Sequence, residues 1–295
     1  MSSDPDRQMR QLQLLTRYAV EHQLAGKYRS VFKGRGMDFD DIRAYEPGDE
    51  VRAIDWNVTA RTGKPHIKRY IEERELAVWL LVDTSASCRN GQDATPKWET
   101  LYELAALLTL SAIHNQDRVG LILFSDRIEH IIPPRRGRRH ANRVLSDLLE
   151  KEPTGRQTNL QVPLDTVGHL TQRRSLIFLM SDFLCPISRD DLSAISFRHD
   201  LIAVAVNDLQ EQCPPPVGLA RVMDVETGEQ RICDFTSRHQ RSFRDAFAQQ
   251  RADLNELLES IGVDLIETTP EEDGVEKLTL FFRNRQRRAA DETGG

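Results

Sequence analysis

The chain has 295 residues, of which 39% are hydrophobic and 29% charged, and its net charge is −6. This length suits one large α/β domain or two small ones, and the acidic balance gives the molecule no general attraction to nucleic acid or an anionic membrane. The longest apolar stretches, 77–82 and 105–113, fall far short of the roughly 20 residues that span a bilayer, so no membrane insertion is expected. The first residues put acids where a secretion signal needs basic ones and contain no unbroken apolar core, so the expected location is the cytoplasm. Cys88, Cys185, Cys213 and Cys233 are widely spaced and form no CxxC pair, which argues against zinc or redox chemistry. Cys88 and Cys185 each follow a strand end and are read as small residues packed near a turn.

In chain order, residues 9–24 place Met9, Leu12, Leu14, Leu15, Tyr18, Ala19 and Leu24 near helical spacing, predicting a first amphipathic helix. From Phe39 to about Glu73, short extended runs are broken by the turn signals EPGDE and RTGKP, the pattern of a small antiparallel β element rich in Arg and Asp. From Leu76 onward strands and helices alternate. LAVWLLVD is a continuous apolar strand of the kind buried on both faces. PKWETLYELAALLTLSAIHN is a helix with Thr95 as cap and Pro96 in its first turn. RVGLILFS and RIEHIIPP are two strands joined by a tight turn at Asp126, and ANRVLSDLLEKE, the loop PTGRQTN and LQVPLDTVGHL supply a helix, a connection and a second short helix.

RSLIFLMSD is a second apolar strand that ends in an acid, followed by a helix in RDDLSAISFRH and a strand in LIAVAVND. A Pro-rich turn then leads to the hairpin RVMDVETGEQRICDF. A long amphipathic helix from about Ser237 to Ser260 carries Phe243, Phe247, Leu254, Leu257 and Leu258 on one side and stops at Gly262. After the strand VDLIE, Thr269 and Pro270 are expected to open a last helix. The predicted organisation is an N-terminal helix and β accessory segment over 1–75, a main domain over 76–288 and a disordered tail over 289–295. The fold class is α/β: a doubly wound, mostly parallel sheet with helices on both faces and a small antiparallel β element before it.

In such sheets ligands bind beyond the carboxyl ends of the strands, where strand order reverses. Asp83, Ser85 and Ser87 form D-x-S-x-S at one such end, and Asp182 stands at another. Thr158, in the loop PTGRQTN, can reach the same edge. Two carboxylates and three hydroxyls, all oxygen, suit a hard divalent cation, Mg²⁺ or Mn²⁺. Hydroxyls are neutral ligands, so with the acids acting mainly from behind them the ion keeps much of its charge and an open position for an outside carboxylate. Taken singly, Ser85 and Ser87 also suit a helix cap, Thr158 a turn and Asp182 an Asx-turn. Their joint placement at strand ends favours the metal site.

This set resembles the metal-ion-dependent adhesion site of von Willebrand factor A domains, whose pattern is D-x-S-x-S, then a Thr, then an Asp. On that resemblance Asp83, Ser85, Ser87, Thr158 and Asp182 are the metal residues. A second resemblance lies just upstream. Arg43, Tyr45, Pro47, Gly48, Asp49, Arg52, Ile54, Asp55, Trp56, Ala60 and Arg61 match the signature R-x-Y-x-P-G-D-x-x-R-x-I-D-W-x-x-x-A-R of the bacterial family named domain of unknown function 58. Many relatives have Gly-Gly-Thr-Asp where this chain has Arg156, Gln157, Thr158 and Asn159. The resemblance implies a MoxR-type AAA+ ATPase as partner and a role in assembly or maturation of other proteins, with a client that offers an acidic residue.

Within the signature, Arg43, Arg52 and Arg61 can fork onto Asp49, Asp55 or the acids at 72–75 as an internal salt-bridge lattice, or can contact an ATPase partner. Trp56 is expected in the core. The basic runs PPRRGRRH and RNRQRR are read as solvated segments, and no aromatic interleaving supports nucleic-acid binding. VDTSAS is not a nucleophile elbow, and no phosphate-binding Gly-rich motif or H-x-x-x-H pair occurs. The expectation is therefore a metal-dependent protein–protein interaction or adaptor module, not an enzyme. A metal-dependent hydrolase or phosphoryl-transfer enzyme using the same site, and a scaffold with a vestigial site, are the alternatives.

Overall fold

The computed structural model describes Val20, residues 24–32, 38–46, Asp49, 54–71, 76–89 and 97–293. The Thr95 cap, Pro96, Pro47, Gly48, Arg52, the Arg43 side chain, the acids at 72–75 and all of the expected first helix except Val20 and Leu24 lie outside the described residues. Helix α1 (Ala25–Phe32) precedes an antiparallel ribbon of β1 (Asp38–Ala44) and β2 (His66–Ile71), whose connection holds a short helix, α2 (Trp56–Thr62). Then come β3 (Ala77–Asp83), α3 (Ala86–Arg89), α4 (Lys97–His114), β4 (Arg118–Phe124), β5 (Ile128–Arg135), α5 (Arg138–Glu150) and α6 (Gln161–Leu170). The second half comprises β6 (Leu176–Ser181), α7 (Arg189–Arg198), β7 (Asp200–Val206), α8 (Leu209–Gln212), β8 (Gly218–Met223), β9 (Gln230–Phe235), α9 (Ser237–Ser260), β10 (Asp264–Thr268) and α10 (Gly274–Thr293).

Six strands form one sheet in the order β10-β7-β6-β3-β4-β5, every neighbouring pair parallel except β4 with β5. Alternate side chains of a strand leave opposite faces, and here both faces are covered. Val78, Leu80 and Val82 enter a core shared with Leu101, Leu104 and Leu108 of α4 and Phe282 of α10. Trp79 and Leu81 enter the opposite core with Leu164, Leu192, Leu254 and Leu258. That two-sided burial is why β3 reads as an unbroken apolar run, and each fully buried Leu contributes about 1.5–3 kcal/mol. Gly120 of β4 is required by this packing, since a Cβ there would sit 2.8 Å from the Trp79 ring and 2.9 Å from Pro134. The doubly wound, mostly parallel sheet and the small antiparallel element are those implied by the von Willebrand factor A-like reading.

The N-terminal segment joins this frame, because Leu24 and Tyr28 are buried in the α4 and α10 core and the Tyr28 ring meets Phe282 edge-on at 5.8 Å. Among the described residues no helix is long and apolar enough to cross a membrane.

Several details differ from expectation. Asp55 accepts from the Val58 backbone N–H at 3.3 Å and so starts α2 inside the β element. Trp56, the first residue of α2, is thereby turned to solvent and is 69% exposed, so its expected place in the core is corrected. The last helix starts later than Thr269 and Pro270 suggest. Thr269 and Glu272 close on each other in a turn, and Asp273 caps α10 by accepting from the N–H groups of Val275 and Glu276. The same helix continues through Thr293, where Ala289, Ala290 and Glu292 are good helix formers, so the expected disordered tail is helical over 289–293.

Candidate metal centre

From β3 the chain steps outward to β4 and β5, then returns to β6 on the other side of β3. Strand order therefore reverses between β3 and β6, and the crevice beyond their carboxyl ends is the place such sheets reserve for ligands. Asp83 closes β3 and Asp182 follows β6, so both acids stand on this crevice, 0% and 1% exposed.

The first loop is fixed by its own hydrogen bonds. Asp83 Oδ1 accepts from the Ser85 backbone N–H at 2.8 Å, and Oδ2 accepts from the Ser181 hydroxyl at 2.6 Å. Both the N–H and the hydroxyl of Thr84 donate to the Phe124 carbonyl, at 2.7 and 2.8 Å, which fastens the loop to β4. The Oγ atoms of Ser85 and Ser87 lie 3.1 Å apart. The loop bearing Thr158 is stitched alongside, with Ala86 N–H donating to the Arg156 carbonyl at 2.9 Å and Asn159 N–H to the Ser125 carbonyl at 3.1 Å. Gly155 makes that approach feasible, since a Cβ at this position would collide with the side chains of Ser125 and Asp126.

Asp182 is held from three directions. Its Oδ1 accepts from Leu184 N–H at 3.1 Å, its Oδ2 from Lys97 Nζ at 2.7 Å, and its carbonyl from an Arg251 guanidinium N–H at 2.7 Å. Phe183 adopts φ 55°, a left-handed turn uncommon for a bulky residue, immediately after this acid. Lys97, at the start of α4, also donates to Glu211 Oε1 at 2.7 Å.

These contacts set the charges. Burial, and then the Asp182 carboxylate, push Asp83 up to about 6, while the Ser181 and Ser85 donors oppose the rise. Burial pulls Lys97 down, but the carboxylates of Asp182 and Glu211 outweigh it and hold the ammonium above its usual value. Ligand atoms of Asp83, Cys88 and Asp182 lie within 4.8 Å of one another. Burial and the two acids push the Cys88 thiol well up, however, so it stays protonated and is a poor ligand for a hard cation.

Adjacent oxygens around an octahedral ion at 2.0–2.1 Å are about 3 Å apart, a spacing that the Ser85 and Ser87 hydroxyls match. Asp83 and Asp182 are fully buried and each of their oxygens already accepts from a protein donor, a combination that fits these acids to a role behind the ligands, through water. Thr158 turns its hydroxyl toward the β8–β9 hairpin, donating to Glu226 Oε1 at 2.7 Å. The structure thus groups Asp83, Ser85, Ser87 and Asp182 in one crevice and places Thr158 on the adjoining loop. Sequence reasoning did not find Lys97, Ser181, Glu226 or Arg251. Ser181, in the run M-S-D, and Glu226, in the turn run VETGE, carried a local sign, whereas Lys97 and Arg251 carried none.

Of the signature residues that the structure describes, Arg43 falls in β1, and Tyr45, Asp49, Ile54, Asp55, Trp56, Ala60 and Arg61 lie in the connection between β1 and β2. Asp49 Oδ2 accepts from Glu46 N–H at 2.9 Å, Tyr45 N–H donates to the Pro65 carbonyl at 2.9 Å, Ile54 bridges to Ile67, and Arg61 is exposed on α2.

Comparison with known proteins agrees with this assignment of the upstream residues. The family model described as "Protein of unknown function DUF58" matches residues 41–256. Uncharacterized proteins of Mycobacterium tuberculosis and Mycobacterium bovis are each 31% identical to the chain over 284 residues, covering 95% of it and 90% of each relative. Among solved structures, an aerotolerance-related membrane protein from Bacteroides fragilis superposes with a TM-score of 0.49 at 13% identity, covering 72% of this chain and 99% of that one.

Proposed function

The chain belongs to the DUF58 family, and on that premise we propose that it is a metal-dependent protein–protein interaction module whose centre is the crevice between β3 and β6. Ser85, Ser87 and Thr158 hold Mg²⁺ or Mn²⁺, with Asp83 and Asp182 behind them. When bound, the ion supplies a hard, under-neutralised positive charge that takes one more oxygen ligand, an acidic side chain of another protein. The partners are a MoxR-type AAA+ ATPase and a client protein that offers that acid, and the process is assembly or maturation of the client.

The observation that carries this reading is the pair of hydroxyls 3.1 Å apart beside two buried acids whose oxygens already have protein donors. The protein's residues then have distinct tasks. Ser85 N–H and the Ser181 hydroxyl orient Asp83, and Lys97 offsets the charge of Asp182, so a divalent ion here would be left short of negative charge. Arg251 holds the Asp182 backbone in place. Both acids face internal donors, and the nearby Cys88 and Cys185 thiols are pushed up by burial, which supports binding over bond-breaking.

The test is capture of a MoxR-type AAA+ ATPase by the full chain in Mg²⁺ and in EDTA, with Ser85→Ala and Ser87→Ala as variants. Binding that needs Mg²⁺ and disappears in both variants, with unchanged circular dichroism, is expected. Equal capture in EDTA and in both variants sinks the proposal.

A further inference from the structure

The hairpin of β8 and β9 brings to the Thr158 loop an acid that the five predicted residues do not include. Its tip is built by Asp224, whose carboxylate accepts from Glu226 N–H at 2.9 Å, Thr227 N–H at 3.3 Å and the Thr227 hydroxyl at 2.7 Å. Gly228, at φ 76°, lets the chain turn back into β9. Arg156, from the same loop as Thr158, donates to the Val225 carbonyl at 2.9 Å and clamps the tip down. Glu226 then takes both donors of Thr158, the hydroxyl at 2.7 Å and the backbone N–H at 3.2 Å.

Charge gives this contact its meaning. Three neutral hydroxyls leave a divalent ion's charge uncompensated, and Asp182 is already offset by Lys97. Glu226 is a carboxylate that touches one of those three hydroxyls. It also lies in the same electrostatic neighbourhood as the buried acids, since burial and then Asp83, Asp182 and Glu226 together push the Cys185 thiol up to about 12.

We propose that Glu226 is a carboxylate ligand which this chain supplies to its own metal centre, tying the β8–β9 hairpin to the ion and standing where a partner's acid must enter. This rests on the metal-site reading above. A partner therefore gains the centre by displacing the hairpin tip, and the hairpin's exposure reports whether the ion is bound.

The experiment titrates Mn²⁺ by calorimetry into the full wild-type chain, Glu226→Ala, Glu226→Gln and Ser85→Ala, and follows trypsin cleavage at the exposed Arg221 and Arg231 with and without Mn²⁺. Glu226→Gln keeps an acceptor for the Thr158 hydroxyl while losing the charge, which separates ligation from tethering. Both Glu226 variants should bind Mn²⁺ about 10-fold or more weakly, and Mn²⁺ should slow cleavage of the wild type but not of the variants. Binding lost in Ser85→Ala but unchanged in Glu226→Gln overturns this assignment alone. A wild type that binds no Mn²⁺, or that binds equally well after Ser85→Ala, overturns both readings.

Discussion

Replacing Lys97 by Met removes the only ammonium seen on Asp182 among the described residues and should reveal how this crevice balances its charge. The two side chains are 3% and 1% exposed and 2.7 Å apart. Removing one partner of so buried a pair leaves the other uncompensated, at a cost of about 3–5 kcal/mol. Glu211, the second partner of Lys97, is 34% exposed at its side chain and can turn to water, so it adds little. The stranded Asp182 lies beside Asp83, whose carboxyl already feels it. Urea unfolding followed by circular dichroism, in EDTA and then in Mn²⁺, measures both consequences. In EDTA, Lys97→Met should lose about 3–5 kcal/mol, and the double variant Lys97→Met/Asp182→Asn should recover most of it. An ion at about 100 times its dissociation constant stabilises a fold by about 2.7 kcal/mol. The gain should be larger in Lys97→Met than in wild type, because the ion then replaces the missing cation. A loss under about 1 kcal/mol, or an identical Mn²⁺ gain in both proteins, contradicts this charge balance.

Other outcomes follow from single sites. Asp117 is buried and accepts from Leu76 N–H at 3.2 Å, and burial raises its carboxyl to about 6. Because that folded value exceeds the unfolded one, the stability it contributes is full below about pH 4 and lost as pH rises through about 6. Asp117→Asn should therefore flatten the stability profile between these limits and gain about 1–3 kcal/mol at about pH 7, as read by urea unfolding. Gly155→Ala drives a Cβ into Ser125 and Asp126, should cost about 1–3 kcal/mol, and should weaken Mn²⁺ binding by displacing the Thr158 loop. Trp56→Ser should change stability by less than about 0.5 kcal/mol, because Trp56 is 69% exposed, whereas a core Trp would cost about 3–5 kcal/mol.

Much of the frame was legible because its signals are local or periodic. The unbroken apolar runs of β3 and β6 announced strands buried on both faces, and α9 occupies Ser237–Ser260, the bounds its periodicity indicated. The placement of Asp83 and Asp182 followed from strand ends and the reversal of strand order. Lys97 was not legible, since it meets Asp182 only through the tertiary approach of α4 to β6 and no sequence spacing encodes that pairing. Glu226 was half legible: the turn chemistry of VETGE marked a hairpin tip, but nothing local says that the tip lies on the Thr158 loop. Trp56 misled because large apolar residues are usually buried, whereas a capping Asp55 begins a helix whose first residue faces water. Helix α2 itself, seven residues with Val and two Thr, has weak helix propensity and read as extended chain.

The proposed function stands or falls with a divalent cation on the hydroxyl pair of the β3–β6 crevice. Calorimetric titration of Mn²⁺ into wild type, Ser85→Ala and Ser87→Ala tests it most directly. One saturable site in the wild type, lost in both variants while their unfolding in EDTA is unchanged, is the predicted result. Equal binding in all three proteins, or none in the wild type, contradicts it.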